Sequence, residues 1–237
     1  NEQTAVPVPF VYAFDDSHTL VPRDYILMNC LPGRPLSEMP QVDCDGVLRQ
    51  VGQMLAEVHA LHNEHYGYLG DHRPMVPQNT WVEAFEVMWH KLLDDVVMVG
   101  YYNTAERQFL ADLFKQHRPL FDRPVPASLL HMDVWHENIL VDERGVVSGL
   151  IDWDRAVWGD PEIEFAILDY CRLSGPAFWE GYGQPRDTSA EAQIRQHFYL
   201  LYELQKYIVI YHGRNHEPEA AATYKQQVLQ LVKQAFS

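Results

Sequence analysis

The first 32 residues contain no glycine and no lysine; the earliest of each are Gly33 and Lys91. Glycine lets a backbone approach phosphate groups closely, and a strand-borne lysine is the cation that commonly holds nucleotide phosphates. The amino-terminal segment of the chain therefore contains neither a Gly-rich phosphate loop nor the lysine that accompanies it.

Basic residues are scarce throughout the chain. Its 237 residues carry 18 Lys and Arg against 33 Asp and Glu, which gives a formal net charge of -15. Binding to nucleic acid rests largely on clustered Lys and Arg, so this balance argues against a nucleic-acid partner. It fits a small cationic partner, although acidity alone also keeps a protein soluble.

Cysteines are few, and long apolar runs are missing. Three cysteines at wide spacings match neither a disulfide framework nor a zinc site. No apolar run reaches the roughly 18 residues of a membrane helix, and residues 1–6 do not begin a signal peptide. We expect a soluble cytoplasmic protein with reduced thiols and no membrane partner.

The amino-terminal part of the chain predicts a hairpin, a hinge and a helix. Residues Val6–Tyr12 and Tyr25–Cys30 are apolar and typical of paired strands, and the prolines and glycine of residues 31–35 predict a hinge. Beyond the hinge, apolar residues recur every three or four positions from Val47 to Leu61. They predict a helix with Asp45 as its cap.

The remainder of the chain alternates between predicted helices and one further hairpin. Five helices are predicted: Trp81 to about Val97, Asn103 (with Glu106 as its capping partner) to about His117, one starting at Asp160–Pro161, about Ala190–Tyr211, and about Glu217–Phe236. The second hairpin is predicted from Ile139–Val141 and Val146–Ile151 around a four-residue turn.

One segment carries a pattern suited to phosphoryl transfer. Residues 131–138 read HMDVWHEN, and Asp152 follows Asn138 by fourteen residues, behind the hairpin. Transfer from a nucleotide requires a carboxylate that orients the attacking hydroxyl and oxygen ligands that hold magnesium against the phosphates. An acidic surface loop is one alternative. A metal-hydrolase site of His131, Asp133 and His136 is another alternative. It leaves two segments unexplained: IDWD at residues 151–154 and the tripeptide Gly-Asp-Pro at residues 159–161.

The segments HMDVWHEN, GLIDWD and GDPEIEFA, in this order and spacing, resemble three segments of small-molecule kinases of the aminoglycoside phosphotransferase and choline kinase superfamily. These are the catalytic loop, the metal-binding segment and the following helix. The resemblance implies an α+β, protein-kinase-like fold of two lobes. Residues 1–30 would be a remnant of the nucleotide-binding β lobe and hinge, and residues 31–237 the mainly helical catalytic lobe with its short β-hairpin region.

The resemblance also assigns roles to residues of these segments. Asp133 takes the position of the catalytic base, with substrate orientation as important as proton abstraction. Asn138 and Asp152 take the Mg²⁺ positions, and His131 and Asp160 those that support the loop.

Two positions depart from the family pattern. Met132 stands where the family usually has Gly, and Glu164 stands where many members have Asp. Neither change removes a metal ligand or the base, but the Met132 side chain needs room in a tight loop.

Residues 25–33 resemble the segment that joins the two kinase lobes. The resemblance implies that the adenine of ATP, or the base of GTP, pairs with the Asn29 carbonyl and the Leu31 amide, with Met28 as an apolar wall.

The family's Gly-rich loop, its Lys and its Glu-bearing helix are missing from the sequence. We therefore favour a fragment of a longer protein over a chain that has lost phosphate clamping, and we expect these residues alone to be a poor kinase. The first hairpin should be partly exposed, mobile or paired with something outside the sequence.

The resemblance does not determine the acceptor, since acceptors in the superfamily include aminoglycosides and other antibiotics, choline, homoserine, methylthioribose and sugar-derived amines. Four acids are candidate contacts for a cationic acceptor or, alternatively, solvated surface residues: Asp154, Glu162, Glu180 and Glu203. Trp135, Trp153 and Trp158 are candidates for a cation-π wall or for core packing. A catalytically silent ligand-binding protein is the rival interpretation. The joint presence of Asp133, Asn138 and Asp152 favours an enzyme.

Overall fold

The computed structural model describes residues 3–69 and 75–236, in which strands and helices are mixed. The strands are β1 (Val11–Asp15), β2 (Tyr25–Met28), β3 (Arg34–Pro35), β4 (His62–Asn63), β5 (Gly67–Tyr68), β6 (Ala127–Leu130), β7 (Ile139–Val141), β8 (Val147–Leu150) and β9 (Val157–Gly159). The helices are α1 (Cys44–His59), α2 (Trp81–Met98), α3 (Thr104–His117), α4 (Pro161–Tyr170), α5 (Pro176–Tyr182), α6 (Ala190–Gly213) and α7 (Pro218–Ala235). No helix in these ranges is long and apolar enough to cross a membrane.

The chain forms two compact units, each assembled from separate stretches of sequence. The first unit contains Asn1–Leu61, Asp133–Arg155 and Cys171–Pro185, and the second contains His62–Met132, Ala156–Tyr170 and Arg186–Ser237. The predicted division of the chain at residue 30 stays a prediction.

In the first unit, the hinge is attached to the second predicted hairpin. Strands β7 and β8 pair antiparallel as predicted, and β3 adds to β7 to make a three-stranded sheet. The Ser148 hydroxyl donates to the Pro32 carbonyl at 2.6 Å. Gly33 has a φ of +102°, and a Cβ at this position would lie 2.8 Å from the Val141 carbonyl oxygen. Gly33 is therefore required both by its backbone conformation and by this close approach.

The amino-terminal hairpin is confirmed, but its first strand begins later than predicted. The strand β1 starts at Val11, whereas the prediction placed its start at Val6. Pro7 and Pro9 have no amide hydrogen to donate to a ladder, and the Pro7 carbonyl instead accepts from the Leu150 amide at 2.9 Å. Much of the apolar surface of the hairpin is exposed, as expected, with Phe14 62% and Leu27 57% accessible.

The helix α1 begins earlier in the chain than its predicted cap. The residue at its N-cap is Asp43, so the prediction of Asp45 was wrong. Asp45 lies in the first turn, where its carboxylate interacts favourably with the positive end of the helix dipole.

Two glycines allow α1 and α5 to approach closely. A Cβ at Gly181 would lie 1.9 Å from the Arg49 carbonyl oxygen, and one at Gly52 would lie 2.2 Å from the Phe178 carbonyl oxygen. Both obstacles are backbone atoms, which cannot move aside like the end of a flexible side chain. The short helix α5 was not predicted, because seven residues give little periodicity to read.

We expect Gly181→Ala to destabilise the protein by at least about 2 kcal/mol, because the added methyl group forces the two helices apart. The matched control is Gly213→Ala at the end of α6, where a Cβ meets nothing within 4 Å. The control should be neutral or slightly stabilising, because alanine favours helix over glycine by up to about 1 kcal/mol. Urea unfolding of both variants checks this, and equal stabilities would contradict the packing argument.

The second unit combines an antiparallel four-stranded sheet with long helices. The strand order is β4-β6-β9-β5, and none of these four strands was predicted. The helices α2 and α3 are confirmed, and the predicted Asn103–Glu106 capping box is present. The start of α4 and the two long helices α6 and α7 also match the predictions within a few residues. Fully buried aromatic side chains make up the centre of this unit: Trp81, Phe85, Trp89, Phe114, Phe121, Phe198 and Tyr199.

Candidate active site

The loop of residues 133–138 is closed by the side chain of Asn138. Its Nδ2 donates to the Asp133 main-chain oxygen at 2.9 Å and lies 3.3 Å from Asp133 Oδ2. The Asn138 main-chain oxygen accepts from the Ile151 amide at 3.0 Å, which ties the loop to the residue before Asp152. With its nitrogen turned toward Asp133, the Asn138 side chain presents its carbonyl oxygen as the atom suited to a metal ion.

Three carboxylates of the first unit converge beside this loop. Oxygen atoms of Asp133, Asp152 and Asp154 all lie within 4.8 Å of one another. Asp152 follows β8 and has a φ of +66°, a left-handed conformation that Asp and Asn adopt more readily than most residues. Hard oxygen ligands at this separation suit Mg²⁺, so the donor set fits the metal that the sequence predicts. The structure thus brings together Asp133, Asn138 and Asp152, and it adds Asp154 to them.

Arg155 contacts the same cluster and was not predicted. Its Nη1 donates to Asp133 Oδ1 at 2.9 Å, and both side chains are largely shielded from solvent. The only signal in the sequence is the position of Arg155, directly after the IDWD segment. A single arginine in a loop is ordinarily a surface residue, so that signal carries little information.

In the second unit, Glu164 holds the backbone of the two residues that precede Asp133. Its carboxylate accepts from the Met132 amide at 2.6 Å and from the His131 amide at 3.3 Å. Glu164 and His131 are completely buried. Met132 has a φ of +67°, and its side chain is buried as well. The larger side chain therefore fits the loop, at the cost of a left-handed backbone.

We expect Glu164→Gln to lower the stability of the protein by about 2 kcal/mol, since an NH₂ group placed opposite a buried amide leaves that amide unsatisfied. For a chain of this size the melting temperature should fall by roughly 4–8 °C. Circular dichroism measures the change, and the exposed Glu143→Gln serves as the control. Equal melting temperatures for the two variants would rule out a role for Glu164 in holding this backbone.

Asp160 lies at the start of α4, as predicted, and is buried in a polar network. Its carboxylate accepts from Arg123 Nη2 at 2.6 Å, from the Glu162 amide at 3.1 Å and from the Tyr199 hydroxyl at 3.2 Å. Burial raises the pKa of Asp160, and the Arg123 guanidinium opposes that rise. These contacts account for the helix start; the predicted support of the catalytic loop by His131 and Asp160 stays a prediction.

The residues predicted to contact the nucleotide base are Met28, which ends β2, and Asn29 and Leu31, which follow it. The Asn29 amide donates to the Phe10 carbonyl at 3.1 Å, and Asn29 Oδ1 accepts from the Phe10 amide at 2.5 Å. Within the described ranges, the Asn29 carbonyl and the Leu31 amide have no backbone partner. Met28 is exposed beside them. The two main-chain groups that the prediction requires are therefore available for a ligand.

Three of the four acids considered for substrate binding are ion-paired. Glu162 receives two hydrogen bonds from Arg195, at 2.7 and 2.9 Å. Glu180 pairs with Arg49 at 2.8 Å on the surface.

The third pair is internal: the buried Glu203 meets Lys206 at 2.5 Å. The fourth acid, Asp154, is exposed and belongs to the carboxylate cluster. Positive side chains thus offset the charge of the other three, which weakens the case for them as contacts of a cationic acceptor.

The three tryptophans considered for a cation-π wall lie in different surroundings. Trp135 is exposed, and the Trp153 indole donates to the Leu150 carbonyl at 3.0 Å. Trp158 lines a cavity of about 370 Å³ in the second unit, together with Tyr66 and Tyr68. Their role in acceptor binding stays a prediction.

Comparison with known proteins agrees with the sequence motifs. Residues 1–207 match the model of a phosphotransferase enzyme family. Hygromycin-B 4-O-kinase of Escherichia coli is 25% identical over 183 residues, which are 71% of this chain and 49% of that kinase. The chain thus spans about half the length of this relative. A probable ketoamine kinase of Vibrio cholerae is 24% identical, over 100% of this chain and 76% of the relative.

A solved structure shows the fold. A thermostable variant of an aminoglycoside phosphotransferase, in a ternary complex with AMP-PNP and hygromycin B, superimposes with a TM-score of 0.64 at 18% identity. The alignment covers 96% of this chain and 78% of the other. The predicted protein-kinase-like α+β fold is confirmed. With the family model matched over residues 1–207, the chain belongs to the phosphotransferase enzyme family that contains the aminoglycoside kinases.

Proposed function

We propose that the protein is a phosphotransferase that moves the γ-phosphate of ATP or GTP to a hydroxyl group of a small molecule. The observation that carries this proposal is the convergence of the Asp133, Asp152 and Asp154 carboxylates beside Asn138. In phosphoryl transfer the protein mainly positions the reactants and neutralises charge, and this set of groups suits both tasks.

Each group of the site has a distinct proposed role. Asp133 accepts a hydrogen bond from the acceptor hydroxyl and orients it toward the phosphate. Asn138 and Asp152 would hold Mg²⁺, and the position of Asp154 suits a further ligand. When bound, the metal neutralises phosphate charge as it develops. His131 and Asp160 are proposed to support the catalytic loop. In the sequence, His131 lies just before the loop and Asp160 lies just before α4.

The nucleotide base is proposed to bind at the end of β2. The Asn29 carbonyl accepts from the base, the Leu31 amide donates to it, and Met28 packs against its face. The lack of backbone partners for these two groups among the described residues supports this assignment.

The acceptor is proposed to be a hydroxylated molecule of the kind used by the relatives, such as an antibiotic or a sugar ketoamine. Because three of the four candidate acids are ion-paired, recognition is expected to rest more on hydroxyl and ring contacts than on a row of negative charges.

The test is a transfer screen on the product of the intact gene. ATP and GTP are each offered with Mg²⁺ and a panel comprising hygromycin B, a hexose–lysine ketoamine, choline and homoserine. We expect release of nucleoside diphosphate that depends on one class of acceptor and on Mg²⁺, and that disappears in Asp133→Asn. A gene product that binds neither nucleotide in the presence of Mg²⁺ would refute the proposal.

A further inference from the structure

The ion pair between Arg155 and Asp133 is shielded from solvent on both sides. The side chains are 11% and 13% accessible, and the distance from Arg155 Nη1 to Asp133 Oδ1 is 2.9 Å. Exposed ion pairs contribute little, whereas removal of one partner from a shielded pair leaves a charge without compensation. Arg155 is therefore coupled to Asp133 much more strongly than a surface arginine would be.

The Asp133 carboxylate is held at both of its oxygens. Arg155 contacts Oδ1, and Asn138 Nδ2 lies 3.3 Å from Oδ2. The same Asn138 nitrogen fixes the Asp133 main chain at 2.9 Å. Contacts at opposite ends of the carboxylate restrict rotation about the bond that carries it, so its plane has a defined direction. Loss of Arg155 would remove the shorter of these two side-chain contacts.

Arg155 also changes the charge balance of the cluster. Asp133, Asp152 and Asp154 carry three negative charges within 4.8 Å, and the guanidinium of Arg155 reduces the net charge from -3 to -2. Like charges at this separation repel one another, and the repulsion drives Asp133 away from the other two carboxylates. An opposite charge on Asp133 offsets that repulsion.

We infer that Arg155 is the positioning residue for Asp133: it holds one carboxylate oxygen in place, so that the other faces the acceptor hydroxyl. It also keeps Asp133 within the cluster despite the negative charge of its neighbours. The inference rests on the proposed function, because it assigns Asp133 the task of orienting the acceptor.

The first test is a double-mutant cycle on acceptor-dependent transfer. Arg155→Ala should reduce kcat by about 10- to 100-fold and leave KM for the nucleotide within about twofold, a loss below that expected for the catalytic carboxylate itself. In the Asp133→Asn background, Arg155→Ala should lower kcat by less than about threefold, because Arg155 acts through Asp133. Arg155→Lys should recover part of kcat, since lysine restores the charge but not the planar fork.

The second test does not depend on turnover. Removal of a positive charge from beside the carboxylates should strengthen Mn²⁺ binding by about three- to tenfold in Arg155→Ala, measured by electron paramagnetic resonance without nucleotide. General damage to the fold would weaken metal binding and turnover together, whereas the inference requires them to change in opposite directions. The control is Arg144→Ala, which removes an exposed arginine paired with Asp142 and should change neither quantity.

The outcomes separate this inference from the proposed function. Full loss of transfer in Asp133→Asn with normal kcat in Arg155→Ala would overturn the role of Arg155 alone. Additive losses in the double mutant, or Mn²⁺ affinity that is unchanged or weaker, would also overturn it. Transfer that survives Asp133→Asn would refute the proposed role of Asp133 and with it the positioning role of Arg155, whereas a gene product that binds neither nucleotide would refute the proposed function itself. In both cases the Mn²⁺ measurement would still decide whether Arg155 sets the charge of the cluster.

Discussion

Replacement of Asp133 by Asn is expected to lower kcat for acceptor-dependent transfer by about 10²- to 10⁴-fold, the range over which a positioned acid or base contributes to catalysis. Asparagine keeps the size of the side chain but presents an NH₂ group where the hydroxyl requires an acceptor. Nucleotide affinity should be retained, because the proposed base contacts come from main-chain groups at residues 29 and 31.

The measurement is steady-state transfer at saturating nucleotide, combined with calorimetric titration of the nucleotide. Asp112→Asn is the matched control: it makes the same change at an exposed position of α3, where the carboxylate accepts a hydrogen bond from Gln108. The control should keep kcat. An Asp133→Asn variant whose kcat stays within threefold of the unmodified protein would remove Asp133 from the reaction.

The second large effect is expected for Asp152→Asn, which should reduce transfer by at least about 10²-fold, because a bound metal supplies several kcal/mol of charge stabilisation and each 1.36 kcal/mol is a factor of ten. Asparagine is the informative substitution, because it tolerates the φ of +66° that strains most other side chains. The fold should therefore survive, and the loss can be attributed to the missing carboxylate charge.

A metal titration distinguishes this effect from that of Asp133→Asn. The Mg²⁺ concentration at half-maximal transfer should rise in Asp152→Asn, and part of the lost rate should return at high Mg²⁺. A transfer rate that is reduced by the same factor at every Mg²⁺ concentration would contradict the assignment of Asp152 as a ligand. The melting temperature of the variant, compared with that of Asp112→Asn, controls for damage to the fold.

Much of the secondary structure could be predicted because its causes are local. The capping box of Asn103 and Glu106 and the Asp160–Pro161 helix start depend on residues within one turn of the chain. The long helices have enough apolar repeats to define a face. The strands β6 and β9 were missed because they are short and, unlike β7 and β8, are not joined by a tight turn. Each is identified by its pairing with the other and with β4 or β5.

The candidate site likewise has residues that the local sequence predicts and partners that it does not predict. The order and spacing of HMDVWHEN and IDWD are enough to point to Asp133, Asn138 and Asp152, because a loop and a short hairpin deliver them over a small stretch of chain. The partners of these residues depend on side-chain directions that spacing does not fix. Glu164 reaches the amide of Met132 across 32 positions, and the contact of Arg155 with Asp133 spans 22.

The sequence by itself determined the family, the α+β fold and the residues proposed for metal and acceptor, since these follow from local motifs and their order. It also showed that the first 32 residues contain no glycine or lysine for a phosphate loop. The tertiary structure decided which of these carboxylates are compensated by a distant positive side chain. Charge compensation depends on distance in space, and folding brings to Asp133, Glu162 and Glu180 arginines that lie 22, 33 and 131 positions away in the sequence. Lys206, three positions after Glu203, is instead a partner within the same helix.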